Sequence, residues 1–403
     1  MRSAQCAGWV LVLAASMGLW ASRAGAIPAF ARKYGFQCTM CHVQFTKLND
    51  FGVAFRDNGY RIMGKEAEEK NVFETPTPVS LRTSAGYNND TFTNPGGEAA
   101  DVRAFQLNGL DVLSGGLFSE RVGYFMIYTP EIKGSRSVAP QEGRLEMANV
   151  VYGVRNAPAP LTVRLGRFEP AFVAFSVKRT LTVAPYDVYD FAGPDGFAMS
   201  DTQTGVEVAS VLPSRLKLAA GWVNGNESQP ASDSPGGFYL RASKVIGRGE
   251  GQVVGQRVGA FAFFGKSRLA SGVGDRESIN RLGLDASLNF GQTNVMAQYL
   301  RGKDDVALNS FDPAKDYKFS GGFVEVNHSF PRNVLGFARW GWVNTPGEQD
   351  QDVKAWTLGV RYHMEMNAAL HLEYFKRQID HGAADGLSDF DEKMWTLRAD
   401  FAF

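Results

Sequence analysis

The tail of the chain constrains its fold most. Trp395, Leu397, Ala399, Phe401 and Phe403 fall on one face of an extended segment, and Thr396, Arg398, Asp400 and Ala402 fall on the other, because successive strand side chains point to opposite sides. Trp356, Leu358, Val360 and Tyr362 alternate in the same way with Thr357, Gly359, Arg361 and His363, and Leu370, Leu372 and Tyr374 alternate with His371 and Glu373. A broad apolar face opposite a polar one, repeated over segments of about ten residues, suits strands that stand between lipid and a wet interior.

Link lengths test that reading independently, since membrane barrels alternate tight turns at one rim with long loops at the other. Short links fall near 156–160, 213–214, 291–292, 331–333 and 365–367. Long polar links fall near 88–101, 131–142, 169–202, 225–236, 266–278, 302–316, 344–352 and 378–391. The rhythm predicts an all-β fold: a transmembrane antiparallel β-barrel of about 16 strands over residues 78–403, with both termini on the short-turn side. Glu169 to Thr202 is the longest link and apolar enough to fold inward. A large soluble β-sandwich also alternates, but it explains neither the loop rhythm nor the aromatic residues at strand ends.

Residues 1–26 read as an export leader, with Arg2, an apolar run from Val10 to Ala15 continuing to Leu19 and Trp20, and Ala24-Gly25-Ala26 before Ile27. Cleavage there removes Arg2 and Arg23, leaving 40 basic residues against 42 acidic ones. A chain so near neutrality offers no signature of nucleic-acid or anionic-lipid binding.

Between leader and barrel, residues 27–77 carry Cys38-Thr39-Met40-Cys41-His42. Thiols at i and i+3 share one face of a helical turn and can meet two vinyl groups, while the adjacent histidine faces the iron: this is the attachment pattern of a covalent c-type haem. Only one other cysteine exists, Cys6 in the leader. A thioredoxin-like centre wants a βαβ context, and a structural zinc wants four ligands, whereas the next histidine is His328. Val43 to Arg56 reads as a helix with Phe45, Leu48, Phe51, Gly52 and Phe55 on one side and Asn58-Gly59 as its stop. So small a segment is poorly sized to bury a macrocycle alone, and sixteen strands leave a channel unless something fills it. The haem segment is therefore expected to plug the lumen.

Pro28 to Gly35, the Cys38–His42 motif, Leu48-Asn49-Asp50-Phe51-Gly52, Phe55-Arg56 and Asn58-Gly59-Tyr60 together resemble the fused outer-membrane monohaem cytochrome-porins, of which the best known are ferrous-iron oxidases. The final strand, ending on phenylalanine, also looks like the terminal strand of bacterial outer-membrane barrels. The resemblance is specific over about 35 residues and architectural beyond them. It implies one covalent haem c and electron transfer from an extracellular donor such as Fe(II) to a periplasmic c-type cytochrome or other soluble carrier.

His42 is the proximal iron ligand by position. For the distal side Met63 is the candidate, being the one methionine of residues 27–77 outside the motif, with His371 or His363 as rivals from the barrel wall. Two acidic loops, with Asp304, Asp305, Asp312 and Asp316 in one and Asp380, His381, Asp385, Asp389, Asp391 and Glu392 in the other, offer the oxygen ligands that hard cations prefer, although acidic loops are commonly just solvated. A haem-plugged solute porin and an outward-directed metal reductase are the alternatives.

Overall fold

The computed structural model describes residues 29–44, 47–75, 78–93, 99–130, 143–171, 180–193, 196–225, 236–247, 256–267, 277–308, 315–345, 351–365, 367–381 and 389–402. The leader, Phe45, Asp312, Asp385 and Phe403 lie outside them.

Sixteen strands close into one antiparallel barrel. In chain order they are β1 (Val79–Thr93), β2 (Ala99–Ser119), β3 (Val122–Thr129), β4 (Arg144–Arg155), β5 (Leu161–Phe168), β6 (Gln203–Val211), β7 (Leu216–Val223), β8 (Gly237–Val245), β9 (Arg257–Ser267), β10 (Glu277–Phe290), β11 (Thr293–Asp304), β12 (Tyr317–Phe330), β13 (Val334–Asn344), β14 (Gln351–Glu365), β15 (Ala368–His381) and β16 (Phe390–Ala402). Each strand pairs with its sequence neighbours, and β16 closes on β1 with Ala402 opposite Arg82. Closure removes every free strand edge, which a spanning sheet cannot leave in hydrocarbon.

The predicted faces hold. Trp356, Leu358, Tyr362, Trp395 and Leu397 stand exposed on the outside, while Thr357, Arg361, His371, Glu373 and Thr396 are buried inside. Two differences concern links. The first loop spans only 94–98, because β1 and β2 continue to pair beyond Asn88, out to Thr93 opposite Ala99; at the other rim, the connection between β8 and β9 runs over 246–256.

The described part of the link from Glu169 to Thr202 folds inward as expected. Its Tyr186, Val188, Tyr189, Phe191, Phe197 and Met199 form one buried cluster with Phe261, Phe263, Phe319 and Phe323 of the wall, and a one-turn helix, Asp187–Asp190, sits in it. Glu373 of β15 fixes the loop from below by accepting hydrogen bonds from the backbone amides of Val183 (2.9 Å) and Ala184 (2.7 Å). Hydrogen bonds to a charged group are worth about 1.5–3 kcal/mol each. Glu373→Ala is therefore expected to detach this end of the loop, read as faster proteolysis within 180–186 while the barrel remains resistant.

The N-terminal segment lies inside the short-turn end of the barrel. Helix α1 (Ala29–Tyr34) donates its Ala29 amide to Ser80 Oγ of β1 (2.7 Å). Helix α2 (Asp50–Asp57) reaches across: Asp50 pairs with Arg257 of β9 (3.1 Å) and Asp57 with Lys217 of β7 (2.6 Å), while Lys47 just before it donates to Asn294 of β11 (2.9 Å). Arg61 is fully buried and donates to the carbonyls of Asn58 (2.9 Å) and Glu120 (3.2 Å) and to Asn156 Oδ1 (3.1 Å). Contacts on both sides of the lumen make the segment a plug.

The predicted helix from Val43 to Arg56 is shorter than expected, beginning only at Asp50. His42–Gln44 and Lys47–Leu48 form a small antiparallel pair instead. Asn49 explains the boundary: its extended backbone and its side-chain acceptor on the Gly52 amide make it the N-cap.

Candidate functional site

The motif forms a tight turn. Cys38–Met40 is a single 3₁₀ turn, and the Cys41 amide donates to the Cys38 carbonyl (3.2 Å), which sets the two cysteines one turn apart. Asn49 ties that turn to α2. Its Nδ2 donates to the carbonyls of Thr39 (3.1 Å) and Met40 (3.0 Å), its Oδ1 accepts the Gly52 amide (2.9 Å), and its own amide donates to the Cys41 carbonyl (2.9 Å). Helix and motif touch so closely that a Cβ on Gly52 would lie 2.2 Å from the Cys41 oxygen. Asn49→Ala removes an N-cap and two further hydrogen bonds, together about 2–4 kcal/mol. The expected result is a folded barrel with a loosened motif turn, read by faster proteolysis between residues 38 and 49 while the barrel stays resistant.

Cys38, Cys41 and His42 line one cavity, whose other walls come from the plug (Phe30, Tyr34, Phe36, Leu48, Phe55, Tyr60) and from the barrel (Leu81, Leu113, Phe125). The aromatic rings form a continuous packed set: Phe30 stacks on Tyr60 (5.4 Å, 9°), Tyr60 on Phe125 (5.4 Å, 25°), and Phe55 meets Phe30 edge-on (5.1 Å). Phe125 and Leu113 belong to β3 and β2, so part of the lining is barrel wall. Reading the motif segment alone missed them; their apolar side chains on the inward face of otherwise lipid-outward strands were the available signal.

Cys38 and Cys41 form no disulfide with each other. Burial pushes the Cys38 thiol up and the Cys41 thiol to about 11, the opposite of the depressed values that define redox-active cysteine pairs. Among the described residues no group of three or more His, Cys, Asp or Glu side chains is placed to hold a metal ion. The residues fit a c-type haem: two neutral thiols one turn apart, a histidine beside the second, and a flat-ringed apolar lining.

The distal candidates are placed elsewhere. Met63 lines a second, larger cavity together with Asp50 and Val53, because Gly59 (φ +71°) and Tyr60 (φ +64°) are both left-handed and reverse the chain before it. His371 is buried against Phe337 (ring centroids 5.5 Å apart) and bonds Glu373 (3.0 Å), so it helps hold the inward loop. His363 lies in β14, and neither histidine is among the residues lining the cysteine cavity.

The acidic loops do not gather. Asp304 is buried on Arg281, Asp316 pairs with Lys303 (2.8 Å), Asp380 with Lys354 (3.5 Å) and Glu392 with Arg377 (2.6 Å). Asp389 accepts the amide of His381 (2.9 Å). These carboxylates are spent on neighbouring donors.

Asp57 shows how the plug is latched. Burial pushes its carboxyl up, but Lys217 and Arg56 beside it outweigh burial and hold it well below the usual carboxylate range. A folded value below the unfolded one gives stability that is complete above about pH 4 and declines only as pH falls through the lower folded value. Plug seating is therefore expected to persist at pH 4, and Asp57→Asn to weaken it at neutral pH but to match the parent in strong acid, measured by protease protection of the plug.

Comparison with known proteins bears on the barrel. Residues 159–397 match the Gram-negative porin family model, more than half of the chain. The chain belongs to the Gram-negative porin family. No curated protein matches it. Among solved structures, the porin is similar to an anion-selective porin from Comamonas acidovorans (TM-score 0.57, 13% identity, covering 81% of this chain and 99% of that one). It is also similar to the outer-membrane channel DcaP of Acinetobacter baumannii (0.58, 11%, 81% and 97%) and to Salmonella typhi OmpF (0.52, 12%, 80% and 97%). At such identities the likeness concerns the fold. The family match places the porin in the outer membrane, where barrels of this kind turn their short links toward the periplasm. The family match does not reach residues 27–77.

Proposed function

We propose that this porin carries one covalent haem c in its plug and passes electrons from an extracellular donor, Fe(II), to a periplasmic c-type cytochrome or other soluble carrier. The observation that carries this reading is the single cavity lined by Cys38, Cys41 and His42 together with Phe30, Phe55, Tyr60 and Phe125, inside a closed barrel.

The bound group supplies one-electron chemistry. Cys38 and Cys41 would hold it by thioethers, and His42 would offer its imidazole to the iron. Met63 would be the second iron ligand on the sequence reading, with His363 and His371 as alternatives, although none of the three lines the cysteine cavity. Phe30, Phe55 and Tyr60 exclude water and favour the flat macrocycle. Asp50, Asp57 and Arg61 hold the segment across the lumen, so electrons cross where solutes are obstructed. A distributed donor site suits outer-sphere oxidation, which needs no ion cage.

A second reading, a solute porin with a gating plug, draws support from the family match and from neighbours that are channels. Anaerobic mixing of the purified protein with Fe(II), followed by absorbance, separates the two. Electron transfer predicts haem reduction at a rate proportional to Fe(II) with little bilayer conductance. A haem that stays oxidised over a range of pH, yet responds to a chemical reductant, beside a well-conducting barrel, favours the solute porin. Onward transfer to a donor-side metal oxide instead of a periplasmic carrier would indicate the outward reductase.

A further inference from the structure

Between α2 and the wall formed by β5 to β9 lies a chamber of about 600 Å³, a size typical of small-ligand sites. Arg56 and Tyr60 are shared by its lining and that of the cysteine cavity. Six basic side chains line it among the described residues: Arg56, Arg164, Arg215, Lys217, Arg241 and Arg257. Four acidic residues share the lining, and Asp285 stands behind Arg241.

The balance of hydrogen-bonding capacity is more telling than the balance of charge. Both oxygens of Asp57 are taken, one by Arg56 and one by Lys217. Both oxygens of Glu207 are taken, by Arg164 (2.9 Å) and by the Tyr239 hydroxyl (2.5 Å). A guanidinium has five N–H donors and no acceptor, and each of these carboxylates engages only part of that supply. The Nε–H of Arg164, buried on this wall, has no acceptor among the described residues. Arg215 stands exposed at the short-turn rim, so the chamber is reached from that side.

A walled space in which the Asp57 and Glu207 carboxylates are already taken, while six basic side chains line it and the buried Arg164 Nε–H stays without an acceptor among the described residues, is complementary to an anion. We propose that the chamber binds a small multivalent anion, held by Arg164, Lys217 and Arg257 and admitted past Arg215. This inference stands apart from the haem reading, since it uses the wall and the plug alone.

Two probes of equal shape and opposite charge test it: hexacyanocobaltate(III) and hexaamminecobalt(III), titrated calorimetrically into the intact detergent-solubilised protein. The expected result is saturable binding of the trianion near one per chain and none of the trication. Arg257→Gln is expected to weaken that binding about tenfold, the loss of one charge-assisted contact. Because Arg257 also pairs with Asp50 of the plug, Arg215→Gln at the exposed rim provides a second variant with the same direction of change. Equal binding of both probes, preference for the trication, or trianion binding indifferent to both substitutions overturns the proposal. Haem content, read separately by pyridine haemochrome, reports on the other reading without affecting this one.

Discussion

If the plug carries the proposed haem, replacing Cys38 and Cys41 together with alanine is expected to abolish it, from one per chain to none, while the barrel still inserts and resists protease. Among the residues lining the cavity, the two thiols are the only groups able to form thioethers. The motif turn is held by backbone bonds and by Asn49, which survive the substitutions. Single variants should retain one tether and a weaker, heat-labile complement. Haem stain of a denaturing gel, compared with heat-modifiable mobility of the same sample, reads both halves of this expectation. Full retention of stain by the double variant would mean that the pigment is held elsewhere.

Substituting Gly123 with valine is expected to unseat the plug and raise the conductance of the barrel. Gly123 sits in β3 where the plug backbone lies directly on the wall, so that a Cβ there would come within 2.1 Å of the Gly59 carbonyl oxygen. Overpacking of side chains costs about 1–3 kcal/mol; here the obstacle is backbone at a left-handed glycine (φ +71°) and cannot rotate away. The neighbouring Gly153 repeats the arrangement against the Arg61 guanidinium, 2.1 Å from the position of a Cβ. The strand tolerates valine on its own account. The plug must yield, Arg61 loses its bonds to Glu120 and Asn156, and conductance should rise toward that of an open sixteen-stranded barrel. Unchanged conductance with a protease-resistant plug would place the blockage outside this contact.

The barrel was legible because lipid imposes a rule on every strand. Outward residues such as Trp356, Leu358 and Trp395 must be apolar, inward ones such as Thr357, Arg361 and Glu373 are free to be polar, and the resulting alternation survives in the sequence. Strand ends were less legible: polar residues around Asn88 look like loop, yet they pair on β1, and Asn88 itself is buried on the inward face. The inward course of 169–202 showed in its tyrosines and phenylalanines, whose burial no solvated loop provides.

The one-turn spacing of Cys38 and Cys41 was also readable, since it is local. What surrounds it was not. Phe125 and Leu113 reach the cavity through the closure of the barrel, and Asp57 to Lys217 and Lys47 to Asn294 join residues far apart in the chain. The helical spacing of Leu48, Phe51 and Phe55 suggested one long helix, but Asn49 caps a shorter one by spending its side chain on Gly52 and on the motif turn. The two left-handed residues at Gly59 and Tyr60 direct Met63 to the neighbouring chamber; a tyrosine in that conformation carries no pattern that spacing could reveal.

The most direct test is the intact mass of the protein extracted from outer membranes of cells able to mature c-type cytochromes. A polypeptide beginning near Ile27 and heavier by one haem, with the added mass mapping to the peptide containing Cys38 and Cys41, is the predicted result. The bare polypeptide mass, with both thiols free to react with an alkylating reagent, would contradict the account.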